Sequence, residues 1–194
     1  LMGAINTGMT AWLNSLGTTN LIVLGAVVGG MMSVDMGGPV NKASYVFGTA
    51  MLAAGTQVGQ VIMASVMVGG MVPPLVIALS TTFFKNKWTE SERKGGIVNY
   101  IMGLSFISEG AIPFAASDPI RVIPSCIIGS AVAGALSAAF GCTSPAPHGG
   151  FWVIGIIGNP VMYAVALVVG SALGAVILSA LKKKLTPEES GLTR

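Results

Sequence analysis

The stretch VIPSCIIGSAVAGALSAAFGCTSPAPHGGFWVIGIIGNPVMYAVALVVGSALGAVILSAL, residues 122–181, contains no Asp, Glu, Lys or Arg, and its only basic-type side chain is His148. An apolar run of about 18 residues or more is long enough to cross a bilayer as a helix. The stretch has room for two such spans, at 122–141 and 153–181, separated by a Pro/Gly-rich polar break at 143–152. It therefore predicts an all-α membrane protein that crosses the bilayer several times.

The composition of the whole chain points the same way. Of its 194 residues 53% are hydrophobic and 9% are charged, whereas soluble domains carry about 25% charged residues. Residues 1–34 and 43–84 also lack charged side chains. So few charges do not cover a soluble surface, which excludes an ordinary cytosolic enzyme, a nucleic-acid binder and a disordered tail. We expect the protein to lie in the lipid bilayer, and we expect no nucleic-acid partner.

Seven of the ten Lys and Arg residues form two short groups beside apolar runs, four within 85–94 and three at 182–184. Cytoplasmic loops of membrane proteins carry an excess of Lys and Arg. We therefore predict that the loop 85–95 and the C-terminal tail 185–194 are cytoplasmic. Residues 1–17 are predicted to be the end of an earlier span or a helix at the membrane interface.

Two further polar breaks interrupt the apolar sequence, Asp35–Lys42 (DMGGPVNK) and Ser108–Phe114 (SEGAIPF). Gly-Gly-Pro does not continue a helix smoothly, and irregular backbone at membrane depth requires protein or a water-filled cavity around it. A half-length apolar segment, a polar turn and a short returning piece are typical of a re-entrant hairpin. We predict broken helices with two re-entrant hairpins, at 97–121 and 143–152.

Ionisable groups near these breaks are costly to place in a membrane, so each is a candidate functional group. Glu109 lies at the predicted hairpin tip, where a carboxylate accepts hydrogen bonds from sugar hydroxyls or takes a proton in phosphoryl transfer. The structural alternative is that Glu109 pairs with Arg121 or caps a half-helix. His148 lies in a Pro/Gly break, and a neutral imidazole both donates and accepts.

The other charged candidates have structural alternatives of similar weight. Asp35 and Lys42 either pair with each other or contact a ligand, and Asn41 offers an amide to a hydroxyl. Asp118 and Arg121, spaced i and i+3, are expected to form a local pair, although Arg also receives phosphate groups. The sequence contains no P-loop, no GxSxG and no Cys/His cluster, so neither a cofactor nor a metal is expected.

Three stretches together resemble a known family: MSVDMGGPVNKASYVFG (32–48), FISEGAIPFAASDPIRVIPSCIIG (106–129) and APHGGFWV (146–153). In this order they are similar to the fructose-type EIIC membrane component of the bacterial phosphoenolpyruvate-dependent sugar phosphotransferase system. The likeness covers about residues 18–184. It implies that this range is a multi-span transport domain, the C-terminal portion of an EIIC permease.

The resemblance implies a function in the bacterial inner membrane. Members of the family carry sugar across while it is phosphorylated, and the phosphoryl group reaches the sugar through EIIA and a cysteine of EIIB. It implies fructose as substrate, fructose 1-phosphate as product, and a homodimer formed through N-terminal spans that this sequence lacks. Mannose- or mannitol-type sugars are alternatives within the family.

The resemblance also assigns roles to residues. Glu109 matches the family's hairpin glutamate, and His148 matches the histidine of its PHGG segment. Sugar contacts are expected from both, with Asp35, Asn41, Ser108 and Gly149 beside them, and Glu109 is the expected catalytic group. Lys42, Asp118 and Arg121 are expected either to stabilise the structure or to be charges on the side that faces the phosphate.

Two cysteines, Cys126 and Cys142, lie in apolar surroundings and are poor candidates for the phosphorylated position. The chain is therefore expected to be the translocating subunit, without the phosphorylated cysteine. Two rival functions stay open. One is a cation-coupled broken-helix sugar transporter without phosphoryl transfer, with Asp35 and Glu109 as ion or proton ligands. The other is a non-transporting scaffold or small channel.

Overall fold

The computed structural model describes residues 20–191, so the segment predicted at 1–17 lies outside the described residues. The regular secondary structure within this range is helical, apart from one isolated antiparallel β-bridge between Thr143 and Gly158. The predicted all-α fold is confirmed. The helices are α1 (Leu21–Met31), α2 (Pro39–Ala53), α3 (Gln57–Phe83), α4 (Glu90–Leu104), α5 (Ile112–Ser117), α6 (Pro119–Ala139), α7 (Pro160–Leu181) and α8 (Pro187–Ser190), with 3-10 turns at Lys85–Lys87, Ser108–Ala111 and Gly150–Ile156.

Three helices, α3, α6 and α7, are long and apolar enough to cross a membrane. The apolar window of α3 is 100% buried, against 50% for α6 and 44% for α7, so α3 is the central helix of the bundle. It continues through Pro73 and Pro74. The third span starts at Pro160 rather than near residue 153, because a 3-10 turn and Asn159 in the left-handed region, φ 60°, precede it.

Glycines allow the helices of the bundle to contact each other through their backbones. A Cβ on Gly25 of α1 would lie 2.6 Å from the carbonyl oxygen of Gly134 on α6. A Cβ on Gly170 of α7 would lie 2.5 Å from the carbonyl oxygen of Gly129 on α6. Small residues at such crossings are the usual means of close helix packing in membranes.

Three irregular segments reach the middle of the bundle and turn there. We call them the first, second and third turns: residues 32–38 between α1 and α2, residues 105–111 between α4 and α5, and residues 146–150 within the segment that joins α6 to α7.

All three turns meet around Phe106, whose ring lies beside Gly70 at the middle of α3. The carbonyl oxygen of Gly70 accepts a hydrogen bond of 2.8 Å from the hydroxyl of Ser108 in the second turn. A Cβ on Gly70 would overlap the ring of Phe106 and lie 2.9 Å from the methyl group of Met32 in the first turn. A Cβ on Gly150 would lie 2.9 Å from the backbone nitrogen of Phe106. Breaks far apart in sequence therefore share one location.

The two basic segments lie together at one end of the bundle, which we call the basic end. The Lys87 ammonium donates to the carbonyl oxygen of Lys182, and the Lys182 ammonium lies 3.7 Å from the centre of the Trp88 ring. The Leu185 amide donates to the carbonyl oxygen of Asn86 at 2.9 Å. The two basic segments, which were predicted to share one side of the membrane, are thus in contact. Their location in the cytoplasm and the re-entrant course of the two hairpins stay predictions.

The predicted loop 85–95 is a loop only in its first part. The Glu92 amide donates to the Thr89 hydroxyl at 3.3 Å and the Thr89 amide donates to the Glu92 carboxylate at 2.8 Å. This pair is a capping box, and it starts α4 at Glu90. The segment 85–95 therefore contains the first six residues of α4, because the cap begins the helix there.

Candidate functional site

The first turn is held together by two of the predicted site residues. The Asp35 carboxylate accepts hydrogen bonds from the backbone amides of Val40 at 2.7 Å and Asn41 at 2.9 Å, at the start of α2. The side-chain amide of Asn41, itself buried, donates to the carbonyl oxygen of Met32 at 2.7 Å. Of the two alternatives for Asp35, the pairing with Lys42 is not formed. Asp35 satisfies unpaired amides at the helix start instead, while Lys42 is exposed.

Glu109 lies where the first and second turns touch. A Cβ on Gly37, whose φ is +117°, would lie 2.9 Å from the Glu109 Oε1 atom. The suggested pairing of Glu109 with Arg121 is wrong, because Arg121 instead contacts Asp118 at 2.9 Å, as the i, i+3 spacing predicts. Within residues 20–191 the Glu109 carboxylate has neither a hydrogen bond nor an ion pair. It is therefore available to a ligand.

An aromatic side chain joins the second and third turns. The Phe106 ring centre lies 5.1 Å from that of His148, in an edge-to-face arrangement, and 6.2 Å from that of Tyr45 on α2. Phe106 has a φ of 61°, a conformation that costs a bulky residue about 1–3 kcal/mol and is concentrated at functional sites. The His148 side chain is exposed. Phe106 thus fixes the position of His148 relative to the turn that contains Glu109.

Ser108 and Gly149 support the backbone at the same place. Ser108 is 4% exposed, and its hydroxyl donates to Gly70. Gly149 has a φ of +123° and begins the 3-10 turn that follows it. A side chain there would also meet Val153, at 2.5 Å. The sugar contacts expected of Ser108 and Gly149 stay predictions.

A cavity of about 470 Å³ lies between α4 and α5 and leads from the basic end to Glu109. Its polar lining includes Glu92 near the start of α4, Asn99 in the middle of that helix, and Glu109 itself. Sites for small ligands have volumes of about 300–1,000 Å³. A smaller cavity of about 300 Å³ on the other face of α5 is lined by Asp35 and Met36 of the first turn.

Sequence reasoning missed three residues of this site: Tyr45, Asn99 and Phe106. The only available signal was for Asn99, which is an amide within the apolar run that precedes the second turn. Nothing in the spacing of Tyr45 and Phe106 indicates that their rings meet.

The two cysteines do not resemble reactive groups. Cys126 and Cys142 are both buried and neither forms a disulfide. Burial raises the pKa of the Cys142 thiol, which lowers the fraction of the nucleophilic thiolate.

Comparison with known proteins identifies close relatives. The chain is 52% identical over 178 residues to the PTS system fructose-specific EIIABC component of Bacillus subtilis strain 168. It is 53% identical over 175 residues to the fructose permease IIC component of Bacillus amyloliquefaciens, and 47% identical over 185 residues to the fructose-specific EIIB'BC component of Escherichia coli K12. The predicted membership of the fructose-type EIIC family is confirmed.

The matched regions cover 92%, 90% and 94% of this chain, in that order. They cover 28%, 56% and 32% of the relatives, so the chain spans about half of the fructose permease and about a third of the multidomain EIIC proteins. No family model matches the chain, and no solved structure matches it.

Proposed function

We propose that this chain is the sugar-translocating part of a phosphotransferase-system permease in the bacterial inner membrane. It binds fructose and carries it across while EIIB phosphorylates it to fructose 1-phosphate. The names of the relatives, which are fructose-specific EIIC proteins joined in some cases to EIIA or EIIB, support this assignment. The observation that carries it is the unpartnered Glu109 carboxylate, which lines the cavity between α4 and α5 and lies where the first and second turns touch.

In the proposed reaction a fructose hydroxyl attacks the phosphorus atom of the EIIB phosphocysteine. The new oxygen–phosphorus bond forms as the sulfur–phosphorus bond breaks, and the cysteine leaves as a thiolate. Glu109 orients the attacking hydroxyl and takes its proton. His148 donates to or accepts from a second hydroxyl, while Asp35, Asn41, Ser108 and Gly149 hold the turns around the sugar.

The basic end is the proposed docking surface for EIIB, and we place it in the cytoplasm. A polar cleft of about 660 Å³ there is lined by Lys85, Arg93 and Lys94, among others. Burial lowers the pKa of Lys182, and the nearby carboxylates of Glu92 and Asp118 offset only part of that lowering. These groups lie at the end of the bundle from which the Glu109 cavity is entered, and cations of this kind attract a phosphoryl group.

The wider assembly is also part of the proposal. Residues 18–184 form the transport domain, with re-entrant hairpins at 97–121 and 143–152, and the C-terminus is cytoplasmic. EIIA supplies phosphate to EIIB, and the full-length permease is a homodimer. A cation-coupled transporter has less support, because the Asp35 carboxylate already accepts two backbone hydrogen bonds.

Phosphorylation of labelled fructose tests the function. Membranes containing the full-length permease are supplied with phosphoenolpyruvate, EI, HPr, EIIA and EIIB, and wild type is compared with Glu109→Gln. We expect loss of the proton acceptor to lower the rate by about 100-fold or more. Glu189→Gln is the matched control, since Glu189 is exposed, accepts hydrogen bonds from Thr186 in the C-terminal tail and lines none of the cavities described above.

An unchanged rate in a folded Glu109→Gln protein contradicts the role of Glu109. Absence of fructose phosphate from wild type with active partner proteins contradicts the proposed reaction. Fructose uptake that follows a proton or sodium gradient without EIIB would then support the cation-coupled alternative.

A further inference from the structure

We propose that Asn99 is a second polar ligand of the sugar, in the same cavity as Glu109 and on the opposite wall. This inference rests on the proposed function. It adds a specificity-determining residue that the family motifs do not contain.

Asn99 lies in the middle of α4 and is 2% exposed. Its Oδ1 atom is buried without a hydrogen-bond partner, yet the side chain lines the cavity that reaches Glu109. An unpaired buried polar group costs about 1–3 kcal/mol. A ligand hydroxyl in the cavity would remove that cost.

The second turn leaves room for this amide. A Cβ on Gly110, the residue after Glu109, would overlap the Asn99 Oδ1 atom and lie 2.5 Å from the sulfur of Met102. The absence of a side chain at residue 110 therefore keeps the amide group next to the turn that presents Glu109. The two polar side chains face one small space from two different elements.

Their chemistry is complementary. A carboxylate only accepts hydrogen bonds, whereas an amide both donates and accepts. A sugar hydroxyl that donates to Glu109 still has lone pairs, which the Asn99 amide group satisfies, and a neighbouring hydroxyl donates to the Asn99 Oδ1 atom. The pair selects a polyhydroxylated ligand over an apolar molecule of the same size.

Two other buried side chains within residues 20–191 have a polar atom without a hydrogen-bond partner, but they lie away from the cavities. The hydroxyls of Ser137 and Ser171 also lack partners, but neither residue lines a cavity described above. Ser171, at 1% exposure, is therefore a matched control for the effect of removing a buried polar atom.

The test measures fructose affinity and thermal stability of the full-length permease with Asn99→Leu, which keeps the branching of the side chain at Cγ and removes the polar atoms. We expect the Kd for fructose to rise at least about tenfold, the effect of one lost hydrogen bond to a ligand. We expect the melting temperature to hold or rise, because an unsatisfied group has been removed. Ser171→Ala is expected to leave the Kd unchanged.

A folded Asn99→Leu protein that binds fructose as wild type does overturns the proposal. If Asn99→Leu does not fold, Asn99→Ser takes its place, and normal fructose affinity in that variant also overturns the proposal. Fructose analogues that each lack one hydroxyl give a second readout: one of them should lose affinity for wild type but not for the Asn99 variant. If the wild-type permease binds no sugar, the proposed function itself is contradicted. This outcome is distinct from failure of the Asn99 proposal, in which wild type and variant bind fructose equally well.

Discussion

At the scale of single residues, the contact between Gly37 and Glu109 makes the site sensitive to one methyl group. Gly37→Ala places a Cβ 2.9 Å from the Glu109 Oε1 atom, in a left-handed conformation that costs about 1–2 kcal/mol. We expect the Kd for fructose to rise at least several-fold, measured by equilibrium binding. The carboxylate must move to admit the methyl group.

Gly55→Ala is the control for that substitution. Gly55 has a φ of +69° and no atom within 4 Å of its Cβ position, so alanine there has the backbone cost without the contact. Equal changes in fructose affinity for the two variants would show that strain, rather than displacement of Glu109, is responsible.

Residue type and local motif were enough to select Glu109 and His148 as candidate site residues. They did not predict which other residues lie around these two. A carboxylate beside Gly110 and Pro113 in an apolar chain stands out in any sequence. The role of Phe106 depends on a positive φ and on contacts with residues more than forty positions away in both directions. No spacing rule encodes such contacts, because they arise only when three turns pack together.

At the scale of secondary-structure elements, the cap of α2 is tied to the site. Asp35→Ala removes the acceptor of two backbone hydrogen bonds, and loss of a helix cap costs about 0.5–2 kcal/mol. We expect a lower melting temperature and weaker fructose binding, since the first turn, which includes Gly37, loses its anchor. Thermal unfolding and binding of the same sample measure both effects.

Thr89→Ala provides the comparison, since it removes the cap of α4 at the basic end. A similar loss of stability is expected, with little change in fructose affinity. A loss of affinity in Thr89→Ala as large as that in Asp35→Ala would mean that general destabilisation explains both.

Element boundaries were predictable where a local signal sets them. Thr89 and Glu92 form a capping box, the kind of local motif that marks a helix start in a sequence. The start of α7 was placed too early because 153–159 is apolar like the helix that follows. Hydropathy does not distinguish a 3-10 turn from an α-helix. Asn159, in the left-handed conformation, separates the turn from α7, but no run of polar residues marks that boundary in the sequence.

At the scale of the whole molecule, the contacts between residues 86–88 and 182–185 predict which positions share a side of the membrane. Single cysteines are introduced at Asn86, Lys183 and Ala54 after replacement of Cys126 and Cys142. All three positions are exposed, and Ala54 precedes α3 while Asn86 follows it. An impermeant maleimide is expected to label Asn86→Cys and Lys183→Cys only in inside-out vesicles, and Ala54→Cys only in right-side-out vesicles.

Labelling of Ala54→Cys and Asn86→Cys from the same side would mean that α3 does not cross the membrane. The number of apolar runs was available from the sequence, and so was the pairing of the two basic segments on one side. The convergence of the three turns around Phe106 was not, because it depends on backbone contacts between helices that glycines permit.

The location of the turns also has an electrostatic consequence. Helices α1 and α4 both end in the middle of the bundle, and a helix carries about half a negative charge at its C-terminus. The N-terminus of α2, which would oppose them, is capped by the Asp35 carboxylate, and the other helix that begins there, α5, is only six residues long. A neutral sugar is little affected by the resulting negative field, whereas a sugar phosphate is repelled by it. In the proposed reaction, the helix ends near Glu109 would therefore help to expel the phosphorylated sugar, and phosphorylation itself would drive release.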